Sequence, residues 1–374
     1  MDLSVWSWST SIFYTLLVLL ASTFAGLSQK TIKENTDIAE ISAVKIRPIF
    51  LFIAFIIPWL VAGVRHDVAS DYFSYIRIYN NVASIGLLRS IETLYTEPGY
   101  ALLNWLIFNI FDDPQYVFII TSFIVFFIIY AMLLYNKEHI QLGLAVFIFT
   151  VAYYFWVWTV VRMSIALAIV FFSYKFIIKK DFFRFTMCVF LAFCFHYTAL
   201  VVWPLYFLIN SSKLKKLFYN VFFYGIVVFL LLFFNILFDF VFSDTKYIIY
   251  QARIGNLQGG LNQLIVRVPI FLVLVLYSKT LKKIDLKNIV YLKIYFIGII
   301  LSLFTFWLGI LDRTLNYFFI VKIILLSSLV NIKSTKEKGI VILLVISYYI
   351  LYFIYFVLTN ERLIPYNTFW GWNF

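Results

Sequence analysis

Apolar residues run uncharged for the length of a membrane crossing again and again along this sequence, as at 115–135 and 339–358. A helix needs about 20 such residues to cross the hydrocarbon core. Only helices and closed barrels satisfy their backbone in lipid. These runs are continuous, without the alternation of a barrel strand. With 64% hydrophobic and 13% charged residues, against roughly 45–50% apolar and about 25% charged in soluble domains, the chain cannot hide its Phe, Ile, Leu and Tyr in a water-soluble core. The expected fold is an all-α polytopic integral membrane protein.

Apolar runs near 10–28, 48–64, 115–135, 140–157, 163–178, 182–195, 198–209, 217–240, 264–278, 289–309, 314–330 and 340–358 give about twelve transmembrane helices. The stretch 98–111 is apolar but too short to span, and reads as an interfacial or re-entrant helix. No basic n-region precedes the first run, which reads as a membrane helix rather than a cleaved signal. Nothing in the pattern suggests a soluble domain, linker or repeat. Residues 1–374 are expected to form one membrane-embedded domain, with outer loops 65–114 and 241–263 flanking its site.

Basic residues orient the map through the positive-inside rule. Twenty of the 30 fall in six segments on one side, from Lys30, Lys33, Lys45 and Arg47 in the first to Lys333, Lys336 and Lys338 in the last. That side is the cytoplasm, so both termini are extracytoplasmic. Of those twenty, eighteen are Lys, whereas Arg65, Arg77, Arg89, Arg162, Arg253, Arg267, Arg313 and Arg362 stand outside against Lys246 alone. Topology is indifferent to that choice. A rigid, permanently charged fork is preferred where carboxylate or phosphate is gripped at two points. The plain alternative is ion pairing with the outer acids.

Candidate residues follow from this asymmetry. Arg65 ends the second span, with Asp67 and Asp71 close behind. The two acids are four apart and would share a helix face. They suit general-base work on a sugar hydroxyl, and equally pairing with Arg65 or a divalent ion, although no DxD occurs there. Arg162 lies between two apolar runs with no polar linker, and suits phosphate binding or a snorkelling helix end. Arg313 opens a later span beside Asp312, with which it could simply pair. Arg267 and Arg253 are further phosphate candidates. His196 occupies an outer turn, placed to move protons or to serve as a structural histidine. Glu97 precedes Pro98 at a helix start, where it could merely complement the N-terminus. Tyr72, Tyr75 and Tyr366 belong to outer aromatic surroundings that suit sugar stacking or an interfacial belt. Cys188 and Cys194 read as packing residues, and the three histidines have no ligand spacing, so no metal site is expected.

Taken in order, these residues form a pattern: Arg-x5-Asp-Tyr-x2-Tyr (Arg65, Asp71, Tyr72, Tyr75), Glu-Pro-Gly-Tyr from Glu97, Arg162, Phe-His-x-Thr-Ala-Leu from Phe195, Arg-x3-Tyr-Phe from Arg313, and Ile-Pro-Tyr from Ile364. This resembles the EpsG family of bacterial polysaccharide polymerases, the Wzy-type enzymes of O-antigen, capsule and exopolysaccharide assembly. It departs at Ala69, where the family usually has Gly, and at Thr159–Met163, where the family often has Asn-x2-Arg-Gln.

The resemblance implies a glycosyltransferase of the bacterial inner membrane with its active site facing the periplasm. It would join undecaprenyl-diphosphate-linked oligosaccharide repeat units without a cofactor or nucleotide sugar. Its expected partners are that lipid-linked substrate and the bilayer, with a chain-length regulator and a flippase as possible associates, and no nucleic acid. On that reading Arg65, Arg162 and Arg313 bind diphosphate, while Asp71, His196 or Asp67 takes the acceptor proton. The alternatives are a polyprenyl-linked glycosyltransferase, an O-antigen ligase, or a lipid-linked-oligosaccharide flippase. A transporter should carry charge or broken helices at mid-membrane, whereas only Lys322 lies clearly inside a span.

Overall fold

The computed structural model describes residues 7–36, 39–93, 96–210, 257–302, 311–372 and 374. The expected span at 217–240, most of loop 241–263 and Arg253 lie outside the described residues. Helix α1 (Trp8–Ser28) leads into an antiparallel hairpin, β1 (Gln29–Thr36) and β2 (Ala39–Ile46), and then α2 (Pro48–Val64). The polar excursion holds α3 (Tyr72–Ile85), α4 (Leu87–Glu92) and α5 (Pro98–Phe111). Next come α6 (Gln115–Tyr135), α7 (Leu142–Thr159), α8 (Val161–Ile178), α9 (Phe182–Phe195) and the short helical segment α10 (Tyr197–Asn210). The chain continues with α11 (Leu257–Leu276), α12 (Ser278–Ile284), α13 (Lys287–Ser302), α14 (Leu311–Phe319), α15 (Lys322–Ser328) and α16 (Thr335–Phe356).

Among the described residues, α1, α6, α7, α8, α16 and the stretch Asp312–Asn331 are long and apolar enough to cross a membrane. Leu343, Leu344, Leu351 and Tyr355 stay exposed on α16, a surface that needs lipid rather than water against it. This is a multi-pass, helical membrane protein. Of the twelve expected crossings, six coincide with helices of spanning length. Four others fall on shorter apolar helices: α2, α9, α10 and the Val266–Leu276 part of α11.

The hairpin is a departure from the all-helical expectation. Its register runs from Gln29↔Ile46 to Thr36↔Ala39. Gln29 pins its base, donating to the carbonyls of Lys137 and Ile140 at 2.8 Å each and accepting from Leu142 N at 2.8 Å. Hydropathy misses it because its strands are mixed in polarity and pair only with each other.

The described residues group into two compact units, Met1–Phe172 with Cys188–Leu200 and Ile323–Phe374, and Ser173–Met187 with Val201–Lys322. In the first unit, α1 packs on α2 and α7, and α2 on α6. Fully buried Trp158 is ringed by Tyr14, Tyr154, Phe155 and Tyr366, with centroids 5.1–6.0 Å away. In the second unit, α13 packs against α12 and α14. There the Tyr174 hydroxyl donates to the Tyr317 carbonyl at 2.6 Å.

Helix α2 shows how polar side chains complete a backbone in lipid. Pro58 has no N–H for the Ala54 carbonyl one turn earlier, and the Tyr130 hydroxyl donates to that carbonyl instead, at 2.6 Å. The last four carbonyls of a helix have no intrahelical donor. Here the Val61 carbonyl accepts from the Tyr366 hydroxyl (2.8 Å), Ala62 from Arg65 Nη1, Gly63 from Gln115 Nε2 (2.6 Å) and Val64 from Phe369 N (3.1 Å). Every carbonyl at that end is matched.

Candidate functional site

The sequence Thr96-Glu-Pro-Gly-Tyr100 places a carboxylate at the mouth of α5. Pro98 occupies the first helical turn, where its missing N–H costs nothing. The Glu97 carbonyl accepts from Tyr100 N (3.0 Å) and Ala101 N (2.9 Å), while its side chain makes no cap bond to the helix. Gly99 permits the next step. A Cβ there would lie 2.8 Å from the Cys194 carbonyl oxygen, so only glycine lets α5 come this close to the end of α9. Two residues beyond Cys194 stands His196, its N–H bonded to the Ala192 carbonyl at 2.9 Å. The backbone contact delivers Glu97 Oε1 to His196 Nδ1, 3.2 Å apart.

Arg162 arrives from a third direction. Between α7 and α8 the chain breaks at Val160 (φ −116°, ψ 56°). The break strips Trp158 and Thr159 of helical partners. Arg65 Nη2 donates to the Trp158 carbonyl and the Tyr75 hydroxyl to the Thr159 carbonyl, each at 3.3 Å. Helix α8 restarts at Val161, so Arg162 sits in its first turn. Its Nη1 bonds Glu97 Oε2 and reaches Thr96 Oγ1 at 3.4 Å.

The three side chains divide by exposure. Glu97 is 0% exposed, whereas the Arg162 and His196 side chains retain 23% and 17%. Burial alone would push the Glu97 carboxyl up. The hydrogen bond from His196 and the Arg162 charge overcome it and hold the group down to about 2. Glu97 is therefore a carboxylate, which can only accept. That places a proton on His196 Nδ1, so a neutral ring there carries its lone pair on Nε2. A buried acid thus holds a histidine and an arginine that each keep part of the side chain exposed. This arrangement can take a proton at Nε2 and stabilise negative charge at the guanidinium.

Other expected site residues lie elsewhere. Arg65 is 2% exposed, its guanidinium 4.7 Å from the Phe118 centroid and 5.5 Å from that of Trp158, with carbonyls as its hydrogen-bond partners. Tyr366 caps α2, and Tyr72 shares its hydroxyl between His66 Nδ1 (3.1 Å) and Gln115 Oε1 (3.0 Å). Tyr75 borders Arg162's helix start through Thr159. Asp67 and Asp71 do not share a helix face, because α3 starts only at Tyr72 and Asp67 has φ 52°. Asp67 is exposed and Asp71 half-buried, and neither forms an ion pair with another described residue. Asp312 pairs with Arg267 rather than with its neighbour Arg313, which is exposed. Sequence reading singled out Glu97, Arg162 and His196 one by one but missed their union, and missed Thr96 and Gly99. The Glu-Pro-Gly triplet was the available signal, since it starts a helix with no side chain at the contact point.

The EpsG family model matches residues 48–368, a segment that contains all three residues of the cluster. No match is found among curated proteins or among solved structures. With most of its length covered, this chain belongs to the EpsG family, whose members are polysaccharide polymerase-like.

Proposed function

We propose that this protein joins polyprenyl-diphosphate-linked oligosaccharide repeat units into a polysaccharide on the outer face of the bacterial inner membrane. The chain would cross about twelve times with both termini outside. The observation that carries the reading is the fully buried Glu97 carboxylate, which holds Arg162 and His196 while both of their side chains stay partly exposed.

In this scheme His196 Nε2 accepts the proton of the acceptor sugar hydroxyl. The freed oxygen bonds to the anomeric carbon of the donor glycan, the bond from that carbon to diphosphate oxygen breaks, and the lipid diphosphate leaves with the electron pair. Arg162 stabilises the charge that builds on the leaving oxygen. Glu97 touches neither sugar. It keeps the His196 tautomer and the Arg162 fork in place, as second partners do for catalytic histidines.

The test is the surface-glycan profile of a strain lacking the gene, with and without complementation by Arg162→Lys. The expected outcome is collapse of the polymer ladder to a single repeat unit, unrescued by lysine. Loss of even the single unit would point instead to a flippase, a ligase or an earlier transferase.

A further inference from the structure

The root of the β1–β2 hairpin carries three cations that the scheme above leaves unused. Register sets Lys30 directly opposite Lys45, and both are exposed. Like charges opposite each other across two strands are destabilising. Arg47 continues the same face, two residues past Lys45 in extended backbone (φ −90°, ψ 107°), and its N–H bonds the Ser28 carbonyl at 2.8 Å. None of the three pairs with an acid among the described residues. Glu138 reaches this root, but it accepts from Val44 N (3.1 Å) and pairs with Lys137 (3.9 Å). Gln29 belongs to the other face and is bound to the 137–142 turn, so the cationic face is turned away from that turn.

This face stands where the chain meets the membrane. Helix α1, of spanning length, ends at Ser28, and α2 begins at Pro48. Beside the cations Leu27, Ile49 and Phe52 are 46%, 65% and 59% exposed, an apolar surface that needs acyl chains against it. Phe50 stacks on Phe24 of α1 with centroids 6.2 Å apart, and the Arg47 guanidinium carbon lies 5.6 Å from the Phe50 centroid. Topology asks only for positive charge on one side of the bilayer. It does not ask two lysines to face each other on a fixed sheet. We propose that Lys30, Lys45 and Arg47 bind the phosphate of an anionic phospholipid of the surrounding bilayer, whose chains lie along Leu27, Ile49 and Phe52. The headgroup offsets the repulsion between the lysines and holds the hairpin to the membrane surface. This site is independent of the reaction at the Glu97 cluster.

The experiment titrates dioleoylphosphatidylglycerol into the full-length protein in neutral detergent and follows the unfolding temperature, which rises with any ligand of the folded state. Wild type is compared with Lys30→Gln/Lys45→Gln, Lys30→Arg/Lys45→Arg and Lys333→Gln/Lys336→Gln. Each cation near an anionic surface contributes about fivefold, so Lys30→Gln/Lys45→Gln should need about tenfold more lipid, or beyond, for the half-maximal rise. Lys30→Arg/Lys45→Arg should respond like wild type. So should Lys333→Gln/Lys336→Gln, which removes the same charge from another exposed pair. Without lipid, Lys30→Gln/Lys45→Gln should unfold no lower than wild type, and a clear fall there would overturn the repulsion on which the site rests. A half-maximal rise in that variant at the wild-type concentration overturns the inference. Equal weakening in Lys333→Gln/Lys336→Gln also overturns it, because net charge alone would then draw the lipid. Dioleoylphosphatidylcholine acting at the same concentration would overturn the anionic headgroup, and glycerol phosphate doing so would mark a free-phosphate site and overturn the lipid.

Discussion

Arg65 and Arg162 stand in similar sequence surroundings, each beside an apolar helix in a stretch with few charges, and the structure gives them different partners. Arg65 is sealed among Phe118, Trp158 and backbone carbonyls, and its hydrogen bonds complete the ends of α2 and α7. A cation at a helix C-terminus also complements the helix dipole. Arg162 begins a helix, where the dipole offers a cation nothing, and is held there by a buried carboxylate. What separates them is the partner. Carbonyls and rings enclose Arg65, whereas a buried acid that also grips a histidine holds Arg162 part-exposed, as the proposed function requires.

The largest effect in this comparison is expected at Glu97. Glu97→Gln leaves Arg162 without its counter-charge, and losing one member of a buried pair costs about 3–5 kcal/mol. Activity should fall with stability, and thermal unfolding in detergent reads the second directly. Arg162→Lys should separate the two, with turnover of lipid-linked repeat units lost by about a hundredfold and the unfolding temperature nearly unchanged. Arg65→Met should do the reverse. It removes the bonds to Ala62 and Trp158 and costs about 2–3 kcal/mol, while activity per folded molecule stays within about threefold of wild type. If Arg65→Met is stable but inactive, the assignment of scaffold to Arg65 fails.

A smaller effect lies in pH. The Glu97 carboxyl is held at about 2 against an ordinary 4.5. Because the folded value is depressed, its stabilising contribution is complete above about pH 4.5 and is lost as pH falls toward 2. The gap in unfolding temperature between wild type and Glu97→Gln should be flat from about pH 8 to about pH 5 and narrow below. A gap that narrows between pH 7 and 5 would mean a carboxyl with a raised pKa.

Much of the fold was legible because spans are set by run length, and α6, α9 and α16 lie where hydropathy places them. The hairpin was not, since its strands answer to register rather than to polarity. Nor was the break at Val160 visible within an apolar stretch. For the site, residue type and order pointed to Glu97, Arg162 and His196, yet their meeting depends on Gly99 against Cys194, a contact between segments 95 residues apart in number. The surroundings of Arg65 were not legible either, since sequence does not show which carbonyls and rings end beside it. Ala69 adopts φ 80°, a conformation that glycine takes without strain and that no hydropathy pattern announces.

The most direct measurement is the initial rate of repeat-unit polymerisation by purified His196→Asn. Asparagine keeps a donor toward Glu97 and removes only the basic nitrogen. The expected rate is lower by about a hundredfold or more, the usual range for a lost general base, at an unchanged unfolding temperature. A rate within twofold of wild type would contradict the assignment of His196 as the base and the role of the Glu97 cluster with it.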